Sequence, residues 1–123
     1  MLKKTEIVIR ALLGIMLIVF GPNKFLEFLP MAAPEGDTLN AFSSLVALGV
    51  IPVVAVIEIV GGMLLIINKQ TGIALFFLAP VAFNAFLFHL MLDPAGIAGS
   101  AFFLFSVIFL MYMKRDKFVA LLD

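Results

Sequence analysis

Apolar runs alternate with short polar breaks along the chain, and four of the runs are long enough to be elements. The first extends from about Thr5 to Gly21 and is predicted to stop at Pro22, which lacks the N–H that a helix interior needs. The second, about Ile51 to Ile67, ends at the polar triplet Asn68-Lys69-Gln70. The third, about Thr71 to Leu92, ends at Asp93-Pro94, and the fourth, about Ala95 to Met113, ends at Lys114-Arg115-Asp116-Lys117. At about 1.5 Å per residue these runs measure roughly 24–33 Å, close to a hydrocarbon core of about 30 Å. Helices satisfy their own backbone groups in lipid, so the pattern predicts an all-α integral membrane protein. Its expected form is a four-helix transmembrane bundle, one four-span domain over residues 1–123.

The connection between the first two spans, about residues 23–49, is the longest that contains polar residues. NKFLEFLP interleaves Phe25, Leu26, Phe28 and Leu29 with Lys24 and Glu27, which suits a short piece lying in the membrane interface. MAAPEGDT has the Pro, Gly and Asp of a loop. TLNAFSSLVALG then predicts a short interfacial helix, with Asp37 or Thr38 as its cap. Gly49 and Pro52 mark the turn into span two, Pro52 standing in the first turn of that helix. In this layout Lys3, Lys4, Lys69, Lys114, Arg115 and Lys117 fall on one side and Lys24 on the other. The positive-inside rule then places both termini and the 67–71 turn in the cytoplasm.

Composition agrees with that solvent. The 123 residues are 64% hydrophobic and 13% charged, against about 45–50% apolar and about 25% charged in soluble domains. So small a domain cannot hide that much apolar surface from water. Net charge is zero, so nothing points to nucleic acid, and the absence of cysteine removes disulfides and thiolate chemistry. Lys3 and Lys4 ahead of an apolar run imitate a secretory signal, but no small-x-small cleavage site follows, and the segment is read as a retained span.

Against this background the polar residues inside the spans stand out. Glu58 interrupts VVAVIEIVGGML, roughly 10 Å from one end of its span, and Asn84 lies roughly 12 Å from the same face. Arg10 lies about 7 Å further inward, a gap its side chain can cover. A charge at the bilayer centre costs about 2.5–3.5 kcal/mol on insertion scales, so groups at compatible depths are expected to face inward and meet. Gly61 and Gly62 leave the Glu58 face open to a close neighbour, and Pro80, one turn before Asn84, frees the Phe76 carbonyl a turn further back. His89 and Asp93, four apart, share a helix face near the outer surface, with Lys24 at about that level. Each residue also has a plainer reading. Glu58 with Arg10 is helix glue, Arg10 snorkels, Asn84 bridges helices, His89 packs on Asp93, Lys24 meets headgroups, and the Phe-rich fourth span packs. One His and no Cys argue against a metal site and a bis-histidine haem within the chain. Phosphate-loop and nucleophile-elbow motifs are absent.

In order, Arg10 with LLGIMLIVFGPNKFLEFLP, IPVVAVIEIVGGMLLI and TGIALFFLAPVAFNAFLFH resemble the DoxX family of small bacterial membrane proteins. The resemblance covers about residues 7 to 94, the last span agreeing only in hydrophobic character. It implies a four-helix membrane protein in a redox neighbourhood, by name akin to a subunit of thiosulfate:quinone oxidoreductase. It also implies that Arg10, Asn23, Lys24, Glu58, Asn84 and His89 are the pattern's polar positions. Having no cysteine, the chain would need a partner or substrate thiol for any sulfur transfer.

Together these observations predict an intramembrane polar pocket for an amphipathic small molecule, with quinone as the leading ligand class. Glu58 and His89 are the expected catalytic groups, Glu58 as proton or hydrogen-bond acceptor held by Arg10. Arg10, Asn23, Lys24 and Asn84 are the expected ligand-binding residues, with Lys24 and His89 at the entrance. The alternatives are a non-enzymatic anchor or assembly subunit for a soluble redox partner, and a small transporter or lipid-binding protein. A homo-oligomer is expected to use Gly96 and Gly99 as a close-contact face.

Overall fold

The computed structural model describes residues 1–29 and 33–122. Their helices are α1 (Leu2–Leu26), α2 (Gly36–Ala47), α3 (Val50–Ile67), α4 (Thr71–Leu92), α5 (Ile97–Met113) and the short α6 (Asp116–Val119). Single 3-10 turns occupy Pro94–Gly96 and Ala120–Leu122. Four stretches are long and apolar enough to cross a membrane: Leu2–Leu26, Val50–Ile67, Thr71–Leu92 and Pro94–Met113. They run antiparallel in chain order and close a ring in which α1 packs on α3, α3 on α4, α4 on α5, and α5 on α1. The N-terminus, the 68–70 turn and α6 share one end of the bundle, here the termini end. The other is the α2 end.

The core is a thin apolar seam, with Leu13, Leu17, Leu65, Leu75, Leu78 and Leu110 among its fully buried members. The outer surface is no less apolar. Val56, Met63, Phe76, Phe83, Phe105 and Ile108 each keep more than half their surface exposed on the spans. Such a surface is stable only in lipid, and the all-α membrane bundle is the architecture found.

The tightest seam is between α1 and α3, and glycine makes it so. A Cβ at Gly62 would lie 2.9 Å from the Gly14 carbonyl and 3.0 Å from Leu17 Cβ. Two turns away, a Cβ at Gly21 would lie 3.2 Å from the Ala55 carbonyl and 3.4 Å from Glu58 Cβ. Gly61 faces the other way, onto Leu78 of α4, where a Cβ would fall 2.9 Å from the leucine side chain. Small residues let the backbones approach so that van der Waals contact holds the helices where lipid supplies no hydrophobic drive.

Several local expectations require correction. Pro22 does not end the first span: α1 runs on to Leu26 and stops at Glu27, which takes the left-handed conformation (φ 49°) with its N–H on the Asn23 carbonyl at 2.9 Å. Proline removes one helical bond, but the extra turn carries Asn23 and Lys24 to partners described below, and those contacts offset the loss. NKFL is therefore helix and not a separate interfacial piece. Neither Asp37 nor Thr38 caps α2, which begins after Glu35 without a side-chain cap. The Thr38 hydroxyl instead donates to the Leu92 carbonyl. That carbonyl belongs to the last turn of α4, where intrahelical donors run out. Gly49 (φ 79°) turns the chain into α3, with Pro52 in its first turn as expected. Pro30, the end of the anticipated interfacial piece, and Met31 and Ala32, the start of the anticipated loop, lie outside the described residues.

Candidate functional site

Charged side chains gather in two clusters at opposite ends of the bundle. At the α2 end, Lys24 Nζ lies 2.6 Å from Glu58 Oε1 across the α1–α3 seam. The close contact at Gly21 sets this up, because Lys24 sits three residues further along α1 and its arm folds back over the seam. The pair is one-sided: the Glu58 side chain is 7% exposed and that of Lys24 27%. Asn23 is buried beside it, its Oδ1 accepting the Leu29 N–H at 2.8 Å and holding the chain where it leaves α1. At the same end of α4, His89 Nδ1 lies 3.3 Å from Asp93 Oδ2, its ring edge-on to Phe88 at 5.6 Å. Gly96 gives that ring its room, for a Cβ there would fall 2.5 Å from it.

At the termini end, Arg10 Nε donates to Glu6 Oε1 at 2.8 Å and Nη1 to the Leu65 carbonyl at 2.7 Å. Lys114 of α5 lies 3.6 Å from the same Glu6 oxygen and donates to Asn68 Oδ1 at 3.3 Å. Glu6 and Arg10 are both buried. This cluster ties α1, α3 and α5 together, with two cations sharing one carboxylate.

The expected pairing of Arg10 with Glu58 is therefore not formed. Depth places a side chain on a level and says nothing about which neighbour is nearer. Glu6 stands one turn away on the same helix face as Arg10, and the Leu65 carbonyl lies directly across the seam, so the guanidinium is satisfied without reaching toward Glu58. Asn84 also leaves the shared chamber. It is exposed on the outer face of α4, with Nδ2 donating to the Pro80 carbonyl at 2.8 Å. The anticipated three-way meeting resolves into a Lys24–Glu58 pair, an Arg10–Glu6–Lys114 cluster and an outward Asn84. Glu6, Asn68 and Lys114 were not singled out from sequence, although the four-residue spacing of Glu6 and Arg10 was there to be read. Among the described residues, one hollow lies between α1 and α5, lined by Ile9, Phe102 and Phe105, and another lies at the termini end, lined by Phe76, Phe77 and Lys117. Glu58 lines neither.

With this arrangement in hand, the DoxX family model matches residues 6–91, well over half of the chain. The chain belongs to the DoxX family. It is a multi-pass membrane protein by its four spanning helices and by that membership. The match takes in Glu6, Arg10, Asn23, Lys24, Glu58, Asn84 and His89, and stops short of Asp93 and of α5 with Lys114. The DoxX core thus supplies the whole Lys24–Glu58 pair but only part of the termini-end cluster. No curated protein and no solved structure matches the chain.

Proposed function

We propose that this DoxX protein binds an amphipathic small molecule, a quinone by chemical class, at the α2 end of the α1–α3 seam. The observation that carries the reading is the half-open Lys24–Glu58 ion pair, with its carboxylate inside and its ammonium at the rim. A permanently closed pair could serve as helix glue alone. A pair with one partly exposed partner can exchange that contact for the oxygen of a polar head while an apolar tail lies along the exposed helix faces. Lys24 is the donor to the head, Glu58 the proton or hydrogen-bond acceptor, and Asn23 a positioning residue that fixes the end of α1. His89 and Asp93, at the same end of α4, form a second polar rim. Arg10 takes no part at this end, and Asn84 none inside the bundle. The one-domain layout, supported by the packing of the four spans on one another, belongs to this proposal, as do the inner-membrane location and the cytoplasmic termini, the latter supported by the basic residues at the termini end.

The test is binding of a short-chain quinone to the purified chain in lipid nanodiscs. Glu58→Gln keeps an acceptor for Lys24 and should leave helix content and melting nearly unchanged. Affinity should fall about ten- to hundredfold, the loss of a hydrogen bond involving a charged group. Equal affinity in wild type and variant would remove the reading.

A second reading, a non-enzymatic anchor for a redox partner, is favoured by the glycine-packed α1–α3 seam, in which both charges already have partners. Exchange of the pair, Lys24→Glu with Glu58→Lys, separates the two. Full restoration of stability and of partner capture, with no ligand bound by either form, would establish the anchor.

A further inference from the structure

A mid-membrane amide on the outside of a bundle needs an explanation. Asn84 stands 13 residues into α4 and eight from its end, about 20 Å and about 12 Å along the axis, so it lies within the hydrocarbon. Its amide nitrogen donates once, to the Pro80 carbonyl of its own helix. The second N–H and the carbonyl oxygen have no partner among the described residues, and a polar group left unmatched in hydrocarbon is strongly unfavourable.

The residues around it form a seam. Ile73, Phe77, Pro80, Asn84, Leu87 and Met91 follow one another at steps of four, three, four, three and four, the alternation of a heptad's a and d positions. All six are exposed, with Ile73 at 56%, Phe77 at 53%, Leu87 at 42% and Met91 at 69%. Phe77, Asn84 and Met91 fall at one heptad position and Ile73, Pro80 and Leu87 at the other. A repeat of 3.5 residues keeps one stripe facing a partner helix along its length, and a single Asn within it fixes register.

We infer that α4 carries the interface of a parallel homodimer, in which Asn84 of one copy pairs with Asn84 of the other across a two-fold axis normal to the membrane. A second copy is the occupant that the chemistry selects. A carboxamide is donor and acceptor at once and so complements itself, and two copies inserted the same way present the same residue at the same depth. Hydrocarbon tails offer the amide nothing, and a soluble partner cannot reach this depth. The seam lies on the outside of α4 and owes nothing to the Lys24–Glu58 site.

The absence of cysteine makes the test clean, since every introduced thiol is the sole one. In membranes of native lipid, Phe77→Cys, Leu87→Cys and Met91→Cys should form intermolecular disulfides on mild oxidation. Val56→Cys on α3 and Phe105→Cys on α5, equally exposed to lipid, should not. In the otherwise unaltered chain, Asn84→Leu should weaken dimerisation about five- to thirtyfold by energy transfer between labelled copies, and Asn84→Gln should retain most of it. Melting of the Asn84→Leu monomer should not fall, because the residue packs against nothing inside the bundle. Crosslinking of the control positions as efficiently as the seam, or an unchanged dimer in Asn84→Leu, would overturn the interface.

Discussion

Lys24 and Glu58 are unequal partners, and their inequality predicts how each tolerates change. Removing the ammonium leaves a carboxylate that is 7% exposed without its counter-ion, so Lys24→Met should cost about 3 kcal/mol, the lower end for a broken buried pair because the rim stays open to water. Removing both charges should cost far less. Lys24→Met with Glu58→Met is expected to be near neutral or stabilising, since a packed apolar pair carries no desolvation penalty. Chemical unfolding of both variants in detergent checks the order, and a double variant less stable than the single one would mean that Glu58 has a further partner at this site. Arg10 pairs with Glu6 and not, as the sequence suggests, with Glu58. Hydropathy and rise per residue give only a coarse depth: Arg10 bonds the Leu65 carbonyl, seven residues along α3 from Glu58 and so about 10 Å from its level. Azimuth around the helix was not constrained. Glu6, one turn away on the same helix, lies within reach of the guanidinium and takes it.

At the scale of the helices, the glycines divide by what stands opposite them. Gly62 faces the Gly14 carbonyl so closely that a methyl group must push α1 from α3, whereas Gly99, in the first turn of α5, has open space around it. Gly62→Ala is therefore expected to destabilise the bundle by about 1–3 kcal/mol through overpacking. Gly99→Ala should instead gain about 0.5 kcal/mol from helix propensity. Thermal melting in detergent separates the two by sign. A loss in both would make Gly99 part of a contact that the single chain does not show, the face once anticipated for oligomerisation. Its companion Gly96 is already covered by the His89 ring and is unavailable to a second copy. The spans themselves were legible because hydropathy sums over some twenty residues and forgives a local error. Boundaries were legible where one residue dictates the backbone, as at Gly49. They failed where long-range contacts outweigh a local preference, as at Pro22, where the Lys24–Glu58 pair needs one more helical turn.

The whole molecule is electrically lopsided although its net charge is zero. All Lys and Arg residues except Lys24 lie toward the termini end, and Glu27, Glu35, Asp37, Glu58 and Asp93 lie toward the α2 end. The ion pairs sharpen the contrast. Lys24 is neutralised by Glu58, so the α2 end keeps no unpaired cation among the described residues, while at the other end Lys3, Lys4, Lys69, Arg115 and Lys117 have no carboxylate partner among those residues. Insertion follows cations more than anions, and a potential negative on the cytoplasmic side adds about 2.3 kcal/mol per charge per 100 mV in the same sense. Both effects favour the proposed orientation, with the termini end in the cytoplasm. Single-cysteine variants decide it without interference from native thiols. Glu35→Cys, ahead of α2, should react with a membrane-impermeant maleimide in spheroplasts, and Lys69→Cys, in the α3–α4 turn, should react only after the membrane is opened. The reverse pattern would place the Lys24–Glu58 rim on the cytoplasmic side and require any ligand head to enter from there. Labelling of both residues from outside would mean a mixed population, in which parallel pairing through Asn84 could join only copies of like orientation.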